Sequence, residues 1–404
     1  MNFSCPFCGG SRLEHLRNCP KIYTLTKKKE FNQKAKKDYF GQSPNIFVGR
    51  YGYPNVNVGL LSNDYLEADV DNPIHWAKSK YEIPKIVDLR SSLINSSFKT
   101  SVKSFEDKYV ELSKEVSMSK KPVDVEINLN KRPTFDIKLD TDATPYGPSV
   151  KLEKARITQN PNIPGHVDKV ASDTNLKASE GISYLYSKGY DEHYLTKIIS
   201  AGNLGLGKKR KIVPTRWSIT AVDDTLGKEI ISEIKDYNEF GYSAQFGGYL
   251  GNYYLLLYFP HSWSYELFET YVGNPEQYNP EIVETATDFE NYYGRKNYAS
   301  NTAGGYYATR FSILEYLKEK KRQSSVLALR FITDEYYMSL GVWVVRNAVR
   351  DAAMKKPINF SSKELMLKYA EIIIKKKFGF NLGVLIKKSM LLKNLNTQKK
   401  IFDF

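Results

Sequence analysis

Alternating apolar and polar positions in the first third of the chain predict β-strands. Residues 46–54 combine an apolar start with a glycine-rich turn, and Val56, Val58 and Leu60 alternate directly after it. This pattern predicts two strands joined by a turn. Further along, residues 125–129 and 135–139 alternate on either side of residues 130–134, which predicts a β-hairpin.

Helical spacing of apolar residues dominates the second half of the chain. Residues 177–200, 311–322 and 336–354 show this spacing, whereas residues 246–259 form a glycine-aromatic turn that leads into a buried strand. Together these elements predict an α+β fold. We expect four parts, namely a small zinc knuckle (1–25), a large mixed domain with the active or DNA-binding site (26–360), a basic helical segment (361–397) and a terminal tail (398–404).

The charge balance points to a polyanionic partner. The chain of 404 residues has 59 Lys and Arg against 45 Asp and Glu, a formal net charge of +14. Such an excess favours a nucleic acid, here DNA, as the first candidate. Apolar runs such as residues 253–259 are far too short to span a membrane, and no secretory signal is visible. We therefore expect a cytoplasmic, nucleoid-associated protein without a membrane partner.

The cysteines are confined to the first nineteen residues, where they form the pattern Cys5-x2-Cys8-x6-His15-x3-Cys19. Three thiolates and one imidazole are the four ligands of a closed tetrahedral zinc site, so the metal would be structural. The zinc would fold a small knuckle that otherwise lacks a core. The alternative is that these are reduced cysteines without a metal.

The stretch from Gly202 to Lys228 has the composition of a phosphate-binding site. It contains three glycines that permit close backbone approach, a run of four cations, and a cation beside an aromatic ring. Its apolar residues predict a strand over residues 212–222 that ends at a helix N-terminus marked by Asp223 and Asp224. The alternative is a solvated loop followed by an ordinary helix cap. The residues we single out are Lys208, Lys209, Arg210, Lys211, Arg216, Trp217, Ser218, Asp223 and Asp224.

Two further segments carry candidate chemistry. Arg50 lies between glycines in the first predicted turn, with Tyr51 and Tyr53 beside it, and this combination suits a nucleotide or phosphate contact as well as an ordinary surface turn. Residues 140–165 carry Asp140, Asp142 and several prolines and glycines, which predicts an ordered functional loop.

The end of the chain is basic and then apolar. Residues 375–400 contain lysines and no carboxylate, which predicts an amphipathic basic helix. The last seven residues place Gln398, Ile401, Phe402 and Phe404 in the spacing Gln-x-x-aliphatic-x-x-aromatic. This spacing suits a short helical plug that enters an apolar groove of a partner.

Six motifs are distributed along nearly the whole chain. They are the Cys5/Cys8/His15/Cys19 cluster, FVGRYGYPNVNVG from Phe47, PYGPS from Pro145, GKKRKIVPTRWSITAVDD from Gly207, YLGNYYLLL from Tyr249 and GVWVVRN from Gly341. With these motifs the sequence resembles the archaeal Nre family of DNA repair proteins. The terminal QKKIFDF also resembles the motif with which that family binds PCNA, the ring-shaped sliding clamp of replication. The usual motif has two adjacent aromatics, whereas this chain stops at Phe404, which predicts weaker clamp binding.

The resemblance implies a protein that acts on damaged DNA, alkylated or cross-linked, and is recruited by the clamp together with other repair factors. The residues leave two classes open, a lesion-processing enzyme and a noncatalytic damage-binding adaptor. One enzyme hypothesis is an ADP-ribosyltransferase-like reaction with NAD as cofactor, with Arg50, Arg216, Ser218 and Glu315 as catalytic residues. Another is a metal-dependent hydrolase in which Asp223 and Asp224 hold Mg²⁺.

Overall fold

Two β-sheets and the helices around them make up the part of the chain that the structure, a computed structural model, describes. That part is residues 28–397 without residues 29, 66, 68, 105 and 274–284. Its strands are β1 (Asp38–Val48), β2 (Asn55–Asn63), β3 (Ile94–Ser101), β4 (Val123–Leu129), β5 (Ser149–Ile157), β6 (Ser243–Tyr249), β7 (Asn252–Phe259), β8 (Ser264–Gly273), β9 (Thr285–Glu290), β10 (Ser325–Thr333) and β11 (Ile358–Asn359). Its helices are α1 (Pro73–Lys78), α2 (Ile83–Ser91), α3 (Lys108–Met118), α4 (Gly165–Ser172), α5 (Ala178–Ser187), α6 (Glu192–Ser200), α7 (Thr215–Ile234), α8 (Ala303–Lys320), α9 (Val342–Ala353), α10 (Lys363–Phe378), α11 (Gly383–Lys388) and α12 (Met390–Thr397).

The first five strands close into a barrel with the order β1-β2-β3-β5-β4, in which β4 pairs back with β1. The strand-turn-strand pattern predicted around residues 46–60 is confirmed as β1 and β2, which pair antiparallel. The hairpin predicted for residues 125–139 is wrong. Since β4 already pairs with β1 on one side and β5 on the other, it has no free edge for residues 135–139. Those residues form only an isolated bridge between Lys138 and Tyr146.

The second sheet has six strands in the order β11-β6-β7-β10-β8-β9, and its one parallel pair joins β10 to β8. Both faces of the central strand β7 are covered, so its residues read as a nearly continuous apolar run. The core on one face includes residues of α7, α8 and α9, and the core on the other face includes residues of α10, α11 and α12. This arrangement confirms an α+β architecture.

Helix α7 corrects the prediction made for the central stretch. Residues 215–222, predicted as the end of a strand, begin a helix that runs to Ile234, and Asp223 and Asp224 lie in its middle rather than at its N-terminus. Ile219, Val222 and Leu226 recur every three or four residues and are buried, which is the spacing of a helix face. Pro214 precedes the first turn, where its missing N–H costs no hydrogen bond.

Three helices, α10, α11 and α12, lie within residues 363–397, so the helical carboxyl-terminal part is confirmed in part. Glu266 of β8 is fully buried and accepts hydrogen bonds from the backbone N–H groups of Met390 and Leu391, both at 3.0 Å. A carboxylate at that position accepts from free N–H donors of the first turn of α12, and its negative charge is stabilised by the positive end of the helix dipole. Among the residues described, none of the helices is long and apolar enough to cross a membrane.

Candidate nucleic-acid interface

A cleft of about 670 Å³ opens where the β1–β2 turn approaches helices α7 and α8. Six cations line it, Arg50, Arg216, Lys228, Arg295, Lys296 and Arg310, and we call it the basic cleft. The backbone N–H of Val48 donates to Thr215 Oγ1 at 2.9 Å and so fixes the end of β1 to the start of α7. This contact explains why Arg50 and Arg216, which are far apart in sequence, share one cleft.

Arg216 is held from behind by Asp142, whose Oδ2 lies 2.6 Å from Arg216 Nε. The Asp142 side chain is 4% exposed, and burial raises the pKa of its carboxyl although Arg216 opposes the shift. The Asp142 loop is itself anchored, because its carbonyl accepts from Val342 N at 2.9 Å. Gly341 has φ +94°, and a Cβ there would lie 2.7 Å from that carbonyl oxygen. The functional loop predicted for residues 140–165 therefore contributes the partner of Arg216.

Two other arginines of the cleft are fixed by buried or half-buried carboxylates. Arg310 donates to Glu290 at 2.9 Å and to Asp224 at 2.6 Å. Asp224 also pairs with Lys228 at 2.6 Å. Arg295 lies 3.0 Å from a carboxylate oxygen of Asp288 and donates to the carbonyl of Phe289 at 2.9 Å, so it fastens the loop before α8. These residues shape the wall as much as they add charge.

Arg50 and Lys296 are different, because neither has a carboxylate within ion-pair distance in the described part of the chain. Lys296 is exposed on the loop before α8, and the Arg50 guanidinium lies 5.1 Å from the centre of the Tyr51 ring. The carboxylates that pair with the other four cations form no ion pair with Arg50 or Lys296. Arg50 and Lys296 therefore give the cleft positive charge that a phosphate backbone would neutralise.

Exposed aromatic rings border the same cleft. The rings of Tyr53 and Trp217 lie 5.1 Å apart with an interplanar angle of 57°, and 41% and 44% of these side chains are exposed. Tyr298 also lines the cleft and stacks on Tyr307 with centroids 5.4 Å apart and an angle of 27°. Exposed rings beside cations are the arrangement with which proteins hold unpaired bases.

The four consecutive cations of the central stretch do not line the basic cleft. Lys208 and Lys209 are exposed on a single 3₁₀ turn, and Lys211 is exposed after it. Arg210 donates to the carbonyls of Gly205 at 2.7 Å, Asp173 at 2.6 Å and Ala171, so it fixes its own loop against the end of α4. The glycine-rich loop is thus held together by the cation expected to contact phosphate.

Ser218 and Asp223 point into the protein instead of the cleft. Ser218 is fully buried, and its hydroxyl donates to the Val213 carbonyl at 3.4 Å. Asp223 is also buried and accepts from Arg346 Nε at 3.0 Å. Burial raises the pKa of Asp223 to about 6, although Arg346 opposes the shift. Asp223 and Asp224 have different partners, and this arrangement does not present the pair to one Mg²⁺.

Glu315 lies on α8 away from the basic cleft. Its carboxylate accepts from Arg350 Nε at 2.9 Å and from the Tyr186 hydroxyl at 2.8 Å, and it lines a separate cavity with Tyr249. The structure therefore brings together Arg50, Tyr53, Arg216, Trp217 and Asp224, but not Ser218 or Glu315. The residue set of the NAD hypothesis is not assembled at one place.

Several residues of the cleft were not singled out from the sequence. They come from the segment around Arg295, Lys296 and Tyr298 and from α8, where Arg310 follows two glycines and two tyrosines. The sequence features that could have indicated them are the adjacent cations Arg295 and Lys296 next to tyrosines, and the glycine pair at the start of α8. These features resemble those around Arg50, but nothing in the sequence shows that the segments meet.

Two predicted sites lie outside the described residues, namely Cys5, Cys8, His15 and Cys19 of the zinc knuckle and the tail 398–404. Within the part that is described, no group of three or more His, Cys, Asp or Glu side chains could hold a metal ion. The zinc site stays a prediction.

Comparison with known proteins covers almost the whole chain. The family model described as Archaeal Nre, N-terminal matches residues 13–275, and the one described as Archaeal Nre, C-terminal matches residues 290–404. DNA repair protein NreB of Archaeoglobus fulgidus is 34% identical over 404 residues, 99% of each chain.

Two relatives are named DNA repair protein NreA. The one from Archaeoglobus fulgidus is 37% identical over 367 residues, 89% of this chain and 90% of the relative. The one from Haloferax volcanii is 37% identical over 328 residues, 78% of this chain and 77% of the relative. No solved structure matches the chain at a significant level.

Proposed function

The chain belongs to the archaeal Nre family, and we propose that it is a DNA repair protein that binds damaged DNA in the basic cleft. The observation that carries this proposal is that Arg50 and Lys296, which have no carboxylate partner among the described residues, lie in the same cleft as the exposed ring pair of Tyr53 and Trp217. The names of the relatives support the biological process, and the cations and rings of the cleft support a contact with DNA.

The role of each residue in the cleft follows from its partners. Arg50 and Lys296 can contact the phosphate backbone without breaking an ion pair, since neither pairs with a carboxylate among the described residues. Arg216, oriented by Asp142, offers a guanidinium in fixed geometry, which suits two parallel hydrogen bonds to one phosphate. Trp217 and Tyr53 stack on a base that is unpaired or displaced from the helix.

Unpaired bases are the feature by which we infer that lesions are recognised. Alkylated and cross-linked bases disturb pairing and stacking, so the cost of exposing a base to Trp217 and Tyr53 is smaller at a lesion than in intact DNA. A preference for damaged over undamaged duplex follows from this difference.

We further propose that the terminal tail recruits the protein to the PCNA clamp. Helix α12 ends at Thr397, directly before Gln398, and is anchored by the buried side chains of Leu391 and Leu392. A tail joined to an anchored helix can occupy a groove of the clamp while the cleft stays on DNA. Binding at both places would raise the local concentration of the cleft near replicating DNA.

Tryptophan fluorescence provides the test of the DNA contact. Of the four tryptophans, Trp217 is exposed, whereas Trp76, Trp263 and Trp343 are buried. We expect a single-stranded oligonucleotide to quench the emission of the parent protein and to leave the emission of Trp217→Phe unchanged. Equal quenching in both proteins, or none in the parent, would place the DNA elsewhere. A duplex with an alkylated base, compared with the undamaged duplex, tests the preference for lesions.

A further inference from the structure

A second concave site lies beside the start of helix α6. It has a volume of about 630 Å³ and lies between the start of α6, the segment from α3 to β4 and the residues before α1. At its base are His193, Lys197 and Asp71, and at its edge are Lys120 and Lys121. We call it the α6 pocket.

The base of the α6 pocket is built from buried charged groups. Asp71 accepts from Arg90 Nη1 at 2.6 Å and from Asn45 Nδ2 at 2.8 Å, and lies 2.9 Å from His193 Nε2. The Arg90 side chain is 2% exposed and that of Asp71 is 7% exposed. His193 and Arg90 outweigh the effect of burial and hold the pKa of Asp71 below its usual value. This carboxylate is therefore ionised and already occupied by its neighbours.

Lys197 is a buried cation whose hydrogen-bond partners are neutral carbonyl groups. It is buried, and its Nζ donates to the carbonyls of Ser119 at 2.8 Å and Pro44 at 3.3 Å, with no carboxylate within ion-pair distance in the described chain. Burial lowers the pKa of Lys197 to about 8, although Asp71 opposes the shift. A buried ammonium with only neutral partners is costly, and an anion bound beside it offsets that cost.

Two exposed cations lie at the edge of the pocket. Lys120 and Lys121 follow Ser119, the residue that Lys197 contacts, and both are exposed without a carboxylate partner among the residues described. Carboxylates of the lining have other partners. Glu67 pairs with Lys85, Asp69 lies 3.3 Å from His75 Nε2, and Asp191 accepts from Tyr194 N to cap α6.

A flat aromatic surface adjoins these cations. Tyr190 stacks on Tyr194 with centroids 5.1 Å apart and an interplanar angle of 23°, and both residues line the pocket. The Lys197 ammonium lies 4.8 Å from the centre of the Tyr194 ring. Positive charge and a half-exposed ring in one pocket suit a phosphate joined to a flat base.

We propose that the α6 pocket binds a nucleotide, with its phosphate on Lys197, Lys120 and Lys121 and its base against Tyr190. The nucleotide is either free or the 5′-phosphorylated end of a DNA strand, since both present the same chemistry. This site is separate from the basic cleft and does not depend on it.

Calorimetric titration with inorganic phosphate, dAMP, and 5′-phosphorylated and 5′-hydroxyl oligonucleotides tests the proposal. We expect the full-length protein to bind dAMP, or to bind the 5′-phosphorylated strand more tightly than the 5′-hydroxyl strand. Lys120→Ala/Lys121→Ala should reduce that dAMP affinity, or that preference, about tenfold or more. The double variant Lys151→Ala/Lys154→Ala changes two exposed lysines of β5 and should bind like the parent.

The pattern of binding identifies the source of the phosphate. Binding of dAMP indicates a free nucleotide. Tighter binding of the 5′-phosphorylated strand than of the 5′-hydroxyl strand, which the basic cleft also binds, indicates a DNA end. Lys197→Met should abolish dAMP binding or the difference between the two strands. Absence of dAMP binding together with equal affinity for the two strands, or equal values in the parent and Lys120→Ala/Lys121→Ala, overturns the proposal. Because Lys120 and Lys121 are exposed, their replacement tests the site even where Lys197→Met does not fold.

Discussion

Arg216 Nε and Asp142 Oδ2 lie 2.6 Å apart, and this pair joins the wall of the basic cleft to the buried loop at residues 140–148. Asp142 is nearly inaccessible, whereas 23% of the Arg216 side chain is exposed. The carboxylate therefore depends on the arginine for its stability, while the arginine keeps an open side for a ligand. DNA binding and the stability of the fold therefore both depend on the contact between Arg216 and Asp142, and two variants can separate the two effects.

Replacement of Arg216 should reduce both stability and DNA binding. Arg216→Ala leaves the Asp142 carboxylate buried without its partner, which we expect to lower the free energy of unfolding by about 1–3 kcal/mol. The double variant Arg216→Ala/Asp142→Asn removes the unpaired charge and should recover most of that loss in urea unfolding. Its DNA affinity should stay as low as that of Arg216→Ala. Recovery of DNA binding in the double variant would show that Arg216 acts only through the fold.

Glu192 should make the protein sensitive to acid. It is buried, but Arg350 and Arg346 outweigh burial and lower its pKa from 4.5 to about 2. Because the folded-state pKa is depressed, the stabilisation is complete above about pH 4.5 and is lost as the pH falls towards 2. The shift corresponds to about 3 kcal/mol at neutral pH.

Glu192→Gln should therefore unfold at a lower urea concentration than the parent at pH 7. The difference between the urea midpoints of the two proteins should become smaller as the pH falls from 4.5 to 3, and urea titrations at these pH values measure it. Glu229→Gln, a change at an exposed carboxylate of α7, should unfold like the parent throughout. A difference in urea midpoint that stays constant with pH would mean that Glu192 is not the group whose charge is stabilised.

One zinc ion per chain is expected from the ligand set Cys5, Cys8, His15 and Cys19. Elemental analysis of protein purified without added metal should find a molar ratio close to one. Cys8→Ser should release the metal, because three remaining ligands hold zinc less tightly. The absence of both zinc and iron from the parent protein would refute the predicted knuckle.

Removal of residues 398–404 should abolish clamp binding and leave the fold intact. Helix α12 keeps its own contacts, since Leu391 and Leu392 are buried and Glu266 still accepts from its first turn. Surface plasmon resonance against the clamp measures the loss, and Ile401→Ala with Phe404→Ala should reproduce it. A clamp affinity that survives the truncation would assign recruitment to another surface.

Local pattern explains which elements the sequence could predict. The β1–β2 turn, α6, α9 and the carboxyl-terminal helices follow from spacing and turn residues alone. Residues 212–222 were misassigned because a few apolar residues fit both a strand and a helix, and the longer run to Ile234 decides for the helix. The failed hairpin at residues 125–139 depends on the pairing of β4 with β1 and β5, which is a long-range property.

The cleft shows the same limit. Arg50 and Arg216 were each singled out from local composition, but their proximity depends on the contact of Val48 with Thr215 across more than 160 residues of sequence. Lys208 to Lys211 looked stronger because four cations are adjacent. Charge density in sequence does not show that Arg210 is occupied by three carbonyls.

The dependence of DNA binding on salt tests the central claim most directly. Arg50→Ala/Lys296→Ala removes the two cations that have no carboxylate partner in the described structure, so the fold should be unaffected. A matched control is Arg322→Ala/Lys154→Ala. Arg322 lies just beyond the C-terminal end of α8, about 18 Å along the helix axis from Arg310, the last residue of α8 that lines the cleft.

Fluorescence anisotropy with a single-stranded oligonucleotide at several salt concentrations gives the affinity and the slope of log K against log salt. Arg50→Ala/Lys296→Ala should bind about tenfold or more weakly than the parent. Its slope should be smaller by roughly 1.4, the value for two lost phosphate contacts on single strands. The control should match the parent. An affinity and slope equal to those of the parent in Arg50→Ala/Lys296→Ala would contradict the assignment of the basic cleft as the DNA-binding site.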